Sequence, residues 1–442
     1  MRITGVSIVL LCLLACLYDT AGGQSVSYAW GHNIGSSMGD EGYDVAIDAN
    51  GDVYHVGYTW GQVGDTFLGP TDGYMVKMNA AGQRLWAKQI TNSTGASAFS
   101  VAADPSGGVL VTGCAAGMGG QPDYGGGDVF VAKYSAAGDR MWVTQFGGDR
   151  QDQGRKIAVD RLGNIYVSGY TWSGCGHARV DGYTDAFVAK VSPTGQFQWV
   201  RQYGLAGQDD SYAVSTDSAG NVYMAGTTAG SIGGPNAGGN DVFVVKLAPD
   251  GTELWARQYG TASHESSSAV LADDFGNVYV AERALRKLSA SGDLIWSKSM
   301  PAGPYQSSAT AFARQLASDG QGGVLAGCYT FGSYAGPRTG ITDVVLAHLN
   351  GDGNLISAKQ VGGVDNNDPR GIAFDGSGRV YISGRIEMGG MPGSAFLGGA
   401  YDGFLTAWDV TIPEPSTVSL LAVYWLANLW RRRGALSRHS LT

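Results

Sequence analysis

A unit that returns about every 56 residues, seven times over, limits this chain more than any other feature. An Asp followed three residues later by Gly stands at Asp48/Gly51, Asp104/Gly107, Asp160/Gly163, Asp217/Gly220, Asp273/Gly276, Asp319/Gly322 and Asp375/Gly378, with steps of 56, 56, 57, 56, 46 and 56 residues. A fixed period of this length marks a repeat architecture, in which each unit buries its apolar face on its neighbours. In the fourth unit the strings Val222-Tyr-Met-Ala-Gly-Thr, Val242-Phe-Val-Val-Lys246 and Glu253-Leu-Trp-Ala-Arg-Gln258 are separated by Gly- and Asp-rich turns. Short β-branched and aromatic runs bounded this way read as strands. Each unit is therefore expected to be a four-stranded antiparallel meander, strands a to d. No stretch of the body shows a helical period.

Other landmarks keep the same register. An acid opens strand c at Asp72, Asp128, Asp185, Asp241, Glu282, Asp343 and Asp402. Five residues on stand Lys77, Lys133, Lys190, Lys246, Lys287, then His348 and Ala407. Nine further come Trp86, Trp142, Trp199, Trp255, Trp296, then Ser357. The seventh unit ends after strand c. Trp30 lies 18 residues before Asp48, the step that separates Trp86, Trp142, Trp199 and Trp255 from the next Asp. Residues 26–34 thus read as the missing strand d of the last blade. Sharing one sheet between the two ends removes two exposed strand edges. The expected fold is all-β: a seven-bladed β-propeller of four-stranded antiparallel blades, closed by the N-terminal strand. An open solenoid is the structural alternative.

The two ends read as addresses. Residues 1–23 carry Arg2, an apolar run and Thr20-Ala-Gly-Gly23, the layout of a secretory signal peptide, with cleavage near Gly23. Leu13-Leu-Ala-Cys16 offers acylation of Cys16 as a second outcome. The other end reads Pro413-Glu414-Pro415, then an apolar stretch, then Arg431-Arg432-Arg433. This order resembles the PEP-CTERM sorting signal of Gram-negative bacteria. The resemblance implies processing by an exosortase and release to the cell surface or an extracellular matrix linked to exopolysaccharide or biofilm. About 15 apolar residues at ~1.5 Å each fall short of a ~30 Å hydrocarbon core, which suits transient inner-membrane insertion; a plain single-span anchor is the alternative. The organisation expected is a signal peptide at 1–23, the propeller at 24–411, the sorting signal at 412–433 and a cytoplasmic tail at 434–442. The body resembles the SBBP type of bacterial β-propeller repeat, most clearly at Asp160 to Thr171 and Asp185 to Lys190. That resemblance implies a fold and no chemistry.

A formal net charge of −9 argues against nucleic acid as a partner and leaves room for cations or neutral glycans. Of the body's cysteines, Cys114 and Cys328 sit in non-adjacent blades, too far apart to pair, whereas Cys114 and Cys175 sit in neighbouring ones. The b–c loops vary in length and sequence, and with the d–a links they should form one face. Their aromatic and imidazole groups, Trp60, Tyr124, Trp172, His177, Tyr183, Tyr334 and Tyr401, are the candidate ligand-binding residues. Ten residues after each Trp register stand Asp40, Ala96, Asp152, Asp209, Glu265, Gln306 and Asn367, with second acids at Glu41, Asp210 and Asp368. Two readings compete for this collar: Ca2+ ligation by carboxylates, or capping of backbone N–H groups once per blade. No other cofactor is expected. The strings Asp48-Ala-Asn50-Gly-Asp52 and Asn350-Gly-Asp352-Gly-Asn354 begin like calcium loops but lack the sixth-position Gly, so they read as tight turns. No catalytic set stands out. The expected function is a non-enzymatic binding or structural scaffold at the surface or in the matrix, with a glycan or surface protein as partner. The alternatives are a polysaccharide hydrolase or lyase, or a quinone-dependent dehydrogenase, using the funnel. The irregular blades, five and six, are where a catalytic centre would first be sought.

Overall fold

The computed structural model describes residues 25–90, 94–175, 183–204, 207–282, 284–301, 303–306 and 310–412. Residues 1–23, read above as a signal peptide, lie outside the described residues, as do His177, Pro413, Glu414, Pro415, Arg431, Arg432 and Arg433. The compact unit Val26–Asp409 is a seven-bladed β-propeller. In a second unit, described only at Ser25 and 410–412, the Thr411 N–H donates to the Ser25 carbonyl at 2.9 Å.

Each blade is a four-stranded antiparallel sheet, as the repeat predicts. Blade one runs Asp40–Ile47, Val53–Thr59, Asp72–Met78 and Arg84–Ile90 as strands a to d. Blade seven takes strands a to c from Asn367–Phe374, Arg379–Glu387 and Tyr401–Val410, and its outer strand is Val26–Ile34. The ring therefore closes by sharing a sheet between the beginning and end of the body, as expected. Blade five is the short one: Val278–Ala281 and Ala284–Leu288 meet at a tight turn, and Glu282 lies in that turn rather than opening strand c.

The middle strands explain the unbroken apolar runs. Strand c is buried at all seven positions in Asp72–Met78, Asp128–Tyr134, Asp185–Val191 and Asp241–Leu247, because both of its faces meet a neighbouring blade. Phe130, Phe187, Phe243 and Phe404 recur at one register and are fully buried. Each such ring contributes about 1.5–3 kcal/mol of hydrophobic stabilisation. The core is thus divided among blade interfaces. One cluster joins Ile34, Tyr74, Tyr381 and Leu405 across the closing seam. The three described cysteines are free.

The recurrent Trp clamps one blade to the next. A Cβ added to Gly82, Gly138, Gly195, Gly251, Gly292 or Gly353 would fall 2.8–3.3 Å from the ring of Trp30, Trp86, Trp142, Trp199, Trp255 or Trp296, respectively. Each of these glycines is in the c–d turn of the following blade, with φ between 74° and 88°. Only Gly satisfies both the left-handed turn and the flat approach of an indole. Four of the indole N–H groups, on Trp30, Trp86, Trp255 and Trp296, donate to the turn carbonyls of Ala80, Ala136, Ala290 and Gly351 at 3.0–3.2 Å. The strand c lysines reach the same turns: Lys77, Lys190, Lys246 and Lys287 donate to carbonyls of the next blade at 2.9–3.4 Å. On their own blade, Lys77, Lys133 and Lys246 pair with Asp48, Asp104 and Asp217 of the a–b turn at 2.8–3.8 Å.

This clamp accounts for the irregular sixth blade. Its neighbour, blade seven, has no c–d turn, because its strand d comes from the other end of the body. An indole or a long lysine on blade six would have nothing to dock on. Ser357 and His348 stand there instead, and among the described residues His348 bonds within its own blade, to Asp319 at 3.0 Å. On blade seven Arg379 takes over the role of the Lys and reaches the Ala80 carbonyl at 3.4 Å. The Asp-x-x-Gly motif is likewise structural. Asp48 accepts the N–H groups of Asn50 and Asp52 at 2.9 and 3.0 Å, while Gly51 turns at φ 80°. The tight-turn reading of the calcium-like strings is what the structure shows, with Lys77 Nζ 2.9 Å from Asp52.

Trp86→Ala is expected to lower unfolding free energy by about 2–3 kcal/mol, since a half-buried indole and its hydrogen bond are both lost. Ser357→Trp is expected to add nothing. Urea unfolding followed by tryptophan fluorescence and circular dichroism checks both; equal gains and losses at the two sites would refute the clamp.

Candidate functional site

Two register shifts recur from blade to blade: one lies in the c–d pairing, beside the Trp position, and the other lies in the innermost strand. Strand a is interrupted by a register shift at the same place in six blades: between Gly42 and Asp44, Ala98 and Ser100, Gly154 and Lys156, Ser211 and Ala213, Ala313 and Gln315, and Pro369 and Gly371. A β-bulge leaves one residue unpaired and re-aims its side chain. The bulged residues are Tyr43, Phe99, Arg155, Tyr212, Arg314 and Arg370, with Ser268 next to the start of the short strand in blade five. All seven line one cavity of about 570 Å³ on the axis. That volume lies within the usual range for small-molecule pockets.

The cavity wall is polar and its charges are mostly paired. Asp368 bridges Arg314 and Arg370 at 3.2 and 3.0 Å, and Glu41 behind them bridges Arg370 and Arg385 at 2.6 and 3.3 Å. Burial alone would raise the Glu41 carboxyl, but Arg370 and Arg385 outweigh it and hold it below its usual range. These pairs tie blades six, seven and one together beside the closing seam. Below them Lys156 of blade three reaches both oxygens of Asp44 of blade one at 2.8 and 2.9 Å, and Val101 N–H donates to the same carboxylate at 3.2 Å. Asp210 accepts from Thr184, Gln208 and Tyr212 at 2.6–2.9 Å. Arg155 differs. It packs 4.7 Å above the Phe99 ring and 5.2 Å from the Tyr170 ring, and its Nη2 donates to the Tyr170 hydroxyl at 3.2 Å. Among the described residues it makes no ion pair, and its Nε finds no acceptor.

The residues singled out from the repeat fall into separate places. Asp40, Asp152 and Glu265 each accept the N–H of the residue four positions upstream, Ser36, Gly148 and Thr261, at 2.6–3.0 Å; Asn367 does the same for Gly363 at 3.1 Å. Asp209 is buried and accepts the Thr228 hydroxyl. Asp40, Asp152, Glu265 and Asn367 thereby cap the turn that feeds strand a. In blade six that register belongs to Ala311, paired with Thr330 as Asp40 is with Thr59, and not to Gln306. The extra residues after Trp296 precede the strand. Of the collar acids, Asp210, Glu265 and Asp368 line the cavity. Among the described residues no group of three or more His, Cys, Asp or Glu is placed to hold a metal ion. The strand c acids tie down the loops: Asp72, Asp128, Asp241 and Asp343 each accept from a strand d Gln at 2.6–3.0 Å and from b–c loop N–H groups.

The loop aromatics are spread around the face. Trp60, Trp172, Tyr124 and Tyr183 are 38, 37, 49 and 56 % exposed, and none of them lines the cavity. Trp60 connects to it through rings: Tyr58 lies 5.0 Å away, Tyr43 lies 5.7 Å beyond, and Phe99 is 5.0 Å from Tyr43. Tyr401 lies under Arg385 at 4.5 Å. Tyr334 departs from the expectation. It is fully buried, with its hydroxyl donating to the Pro301 carbonyl at 3.1 Å, because its loop folds back between blades five and six. The cavity residues themselves escape a reading by repeat register, which favours positions that stay the same. The signal was the opposite: the third residue after the collar position changes from Tyr to Phe to Arg to Tyr within an otherwise regular strand.

The fold and its axial cavity define a β-propeller repeat protein. Residues 142–174 and 198–234 match the family model for the SBBP beta-propeller repeat. Regulatory protein FlaEY of Caulobacter vibrioides is 27 % identical over 168 residues, 34 % of this chain and 18 % of the relative. A WD repeat-containing protein, L264, of Acanthamoeba polyphaga mimivirus is 22 % identical over 180 residues, 32 % of this chain and 13 % of the relative. The chain thus spans less than a fifth of the length of either curated relative in the matched region. Among solved structures, the Neurospora crassa Pan2 WD40 domain superposes with a TM-score of 0.49 at 10 % identity, over 84 % of this chain and 90 % of that one. A Bacteroides caccae protein of unknown function gives 0.38 at 14 % identity, over 70 % and 93 %. Scores of this size carry no argument about function.

Burial pushes the Asp152 carboxyl up to about 6, against the Thr171 hydroxyl and Gly148 N–H that hold it. A raised folded value means that the folded state keeps its proton longer, so stability falls as pH rises through the window from about 4 to about 6. Asp152→Asn removes that dependence. Its stability relative to the parent is expected to rise across this window, by up to about 3 kcal/mol, and to level off above it. Chemical denaturation at pH 4 to 7.5 measures the difference; a flat difference would show that Asp152 carries no such penalty.

Proposed function

We propose that this chain is an exported, non-enzymatic β-propeller scaffold that binds a partner of the cell surface or extracellular matrix in its axial cavity. The observation that carries this reading is the bulged ring. A structural repeat gains nothing from varying one strand a residue between Tyr, Phe, Arg and Ser from blade to blade, whereas a binding site assembled from several side-chain chemistries requires it. The cavity offers aromatic faces, amides and hydroxyls, a combination suited to a glycan or to a polar segment of a surface protein. The regularity of the remaining positions supports a scaffold over a hydrolase, a lyase or a quinone-dependent dehydrogenase. Both breaks in blade six have a structural cause in the closing blade.

Export and matrix association follow from the two ends. We propose that residues 1–23 direct secretion and that Pro413-Glu414-Pro415, the apolar stretch and Arg431-Arg432-Arg433 form a sorting signal cut by an exosortase. Replacing Pro413, Glu414 and Pro415 with Ala is expected to retain the protein in the inner-membrane fraction instead of the medium or surface. Immunoblots of cell fractions decide this; unchanged release would exclude the signal. The turn-capping placement of Asp40, Asp152 and Glu265 supports a propeller that needs no Ca2+. Chelation is expected to leave the melting temperature within about 1 °C.

The purified protein, applied to an array of surface and matrix polysaccharides with and without chelator, tests the binding reading. Retention of a polymer that is lost in Tyr212→Ala, with no shortening of the polymer, is the expected outcome. Turnover of a polysaccharide would replace the scaffold by an enzyme.

A further inference from the structure

We propose that Arg155 is the anion anchor of the axial cavity and that the ligand it holds is an acidic saccharide, a sugar ring carrying a carboxylate. The inference rests on the reading of the cavity as a binding site and names the ligand class.

The charges around the cavity select Arg155. Arg314 and Arg370 are neutralised by Asp368 and Glu41, Arg385 by Glu41 and Glu387, and Lys156 by both oxygens of Asp44. Arg155 alone of these makes no ion pair among the described residues, and one hydroxyl is the acceptor it finds for its five N–H donors. A half-buried guanidinium without a carboxylate is costly to keep. The group is nevertheless held in place, 4.7 Å from the Phe99 ring and 5.2 Å from the Tyr170 ring, with the Tyr170 hydroxyl accepting from Nη2. Such a fixed fork is suited to bidentate capture of a carboxylate.

The rest of the wall favours a sugar. Asp210 is already filled by three donors from the protein, and Asp368 by two arginines, so neither competes for Arg155. Glu265 carries the remaining negative charge of the wall and accepts the Thr261 N–H at 3.0 Å. Gln208, Asn240, Gln315 and Ser266 offer groups that both donate and accept, matching sugar hydroxyls. The Tyr43, Phe99 and Tyr212 rings give flat apolar surface for the C–H face of a pyranose. A cavity of about 570 Å³ has room for a short oligosaccharide.

The test uses the full protein, uronate oligosaccharides and the same oligomers as neutral methyl esters, with calorimetry as readout. The acidic oligomer is expected to bind at least about 10-fold more tightly than its ester, and to weaken as salt is raised. Arg155→Gln should abolish that preference and Arg155→Lys should keep part of it, with melting curves showing both variants folded. If acid and ester bind alike and Arg155→Gln changes nothing, the anchor is wrong while the cavity remains a binding site. If neither oligomer binds and other polymers do not either, both readings fall. If acidic peptides bind through Arg155 and uronates do not, the saccharide assignment is overturned.

Discussion

The structure depends on one shared sheet. Val26–Ile34 hydrogen-bonds to the strand Tyr401–Val410, so the outer strand of the last blade comes from the start of the body. A propeller whose ends did not pair would leave two strand edges open, and every interface would inherit that looseness. Closure also leaves a trace elsewhere. The last blade lacks a c–d turn, so the blade before it has lost the Trp and the Lys that such a turn would receive. Ser357 and His348 look like breaks made for function when read along the chain. In three dimensions they mark the place where the ring is joined.

Conserved register and function part ways in this molecule. The Asp of the a–b turn satisfies backbone N–H groups in each blade, and the acid that opens strand c and the acid of the d–a link do so in most of them, with Glu282, Ala96 and Ala311 as exceptions. Buried carboxylates with two or three donors hold loops and turns at low conformational freedom, and they recur because most units have the same turns to cap. Ligand chemistry needs unlike groups facing a common point. The bulge in strand a supplies that point, since it takes one side chain out of the blade interface and turns it to the axis.

How much could be read beforehand follows from this division. The seven units, their strands, the tight turns at Asp48–Gly51 and its equivalents, and the pairing of the two ends were legible because they repeat. The turn-capping reading of the collar was also legible, as one of two alternatives. The buried place of Tyr334 was not, since an aromatic in a loop can fold inward as easily as outward and only its neighbours decide. Blade six was out of register by the residues inserted after Trp296, which hid Arg314 from the ring to which it belongs. Trp60 and Tyr401 were sensible candidates, yet Trp60 stands behind Tyr58, and Tyr401 stands behind Arg385 and Glu41, outside the cavity wall.

By itself the sequence determined the architecture: a period of about 56 residues, strands of alternating or continuous burial, and a tail that lacks what the head provides. These are properties of local backbone conformation and of patterns that must match from unit to unit. Tertiary structure alone decided the site. A single extra residue reverses which side of a strand faces inward, and only the convergence of seven radial sheets brings Tyr43, Phe99, Arg155, Tyr212 and Arg370 around one axis. Residues so far apart in the chain share no local signal of their meeting, because the geometry that unites them belongs to the ring and not to any one repeat.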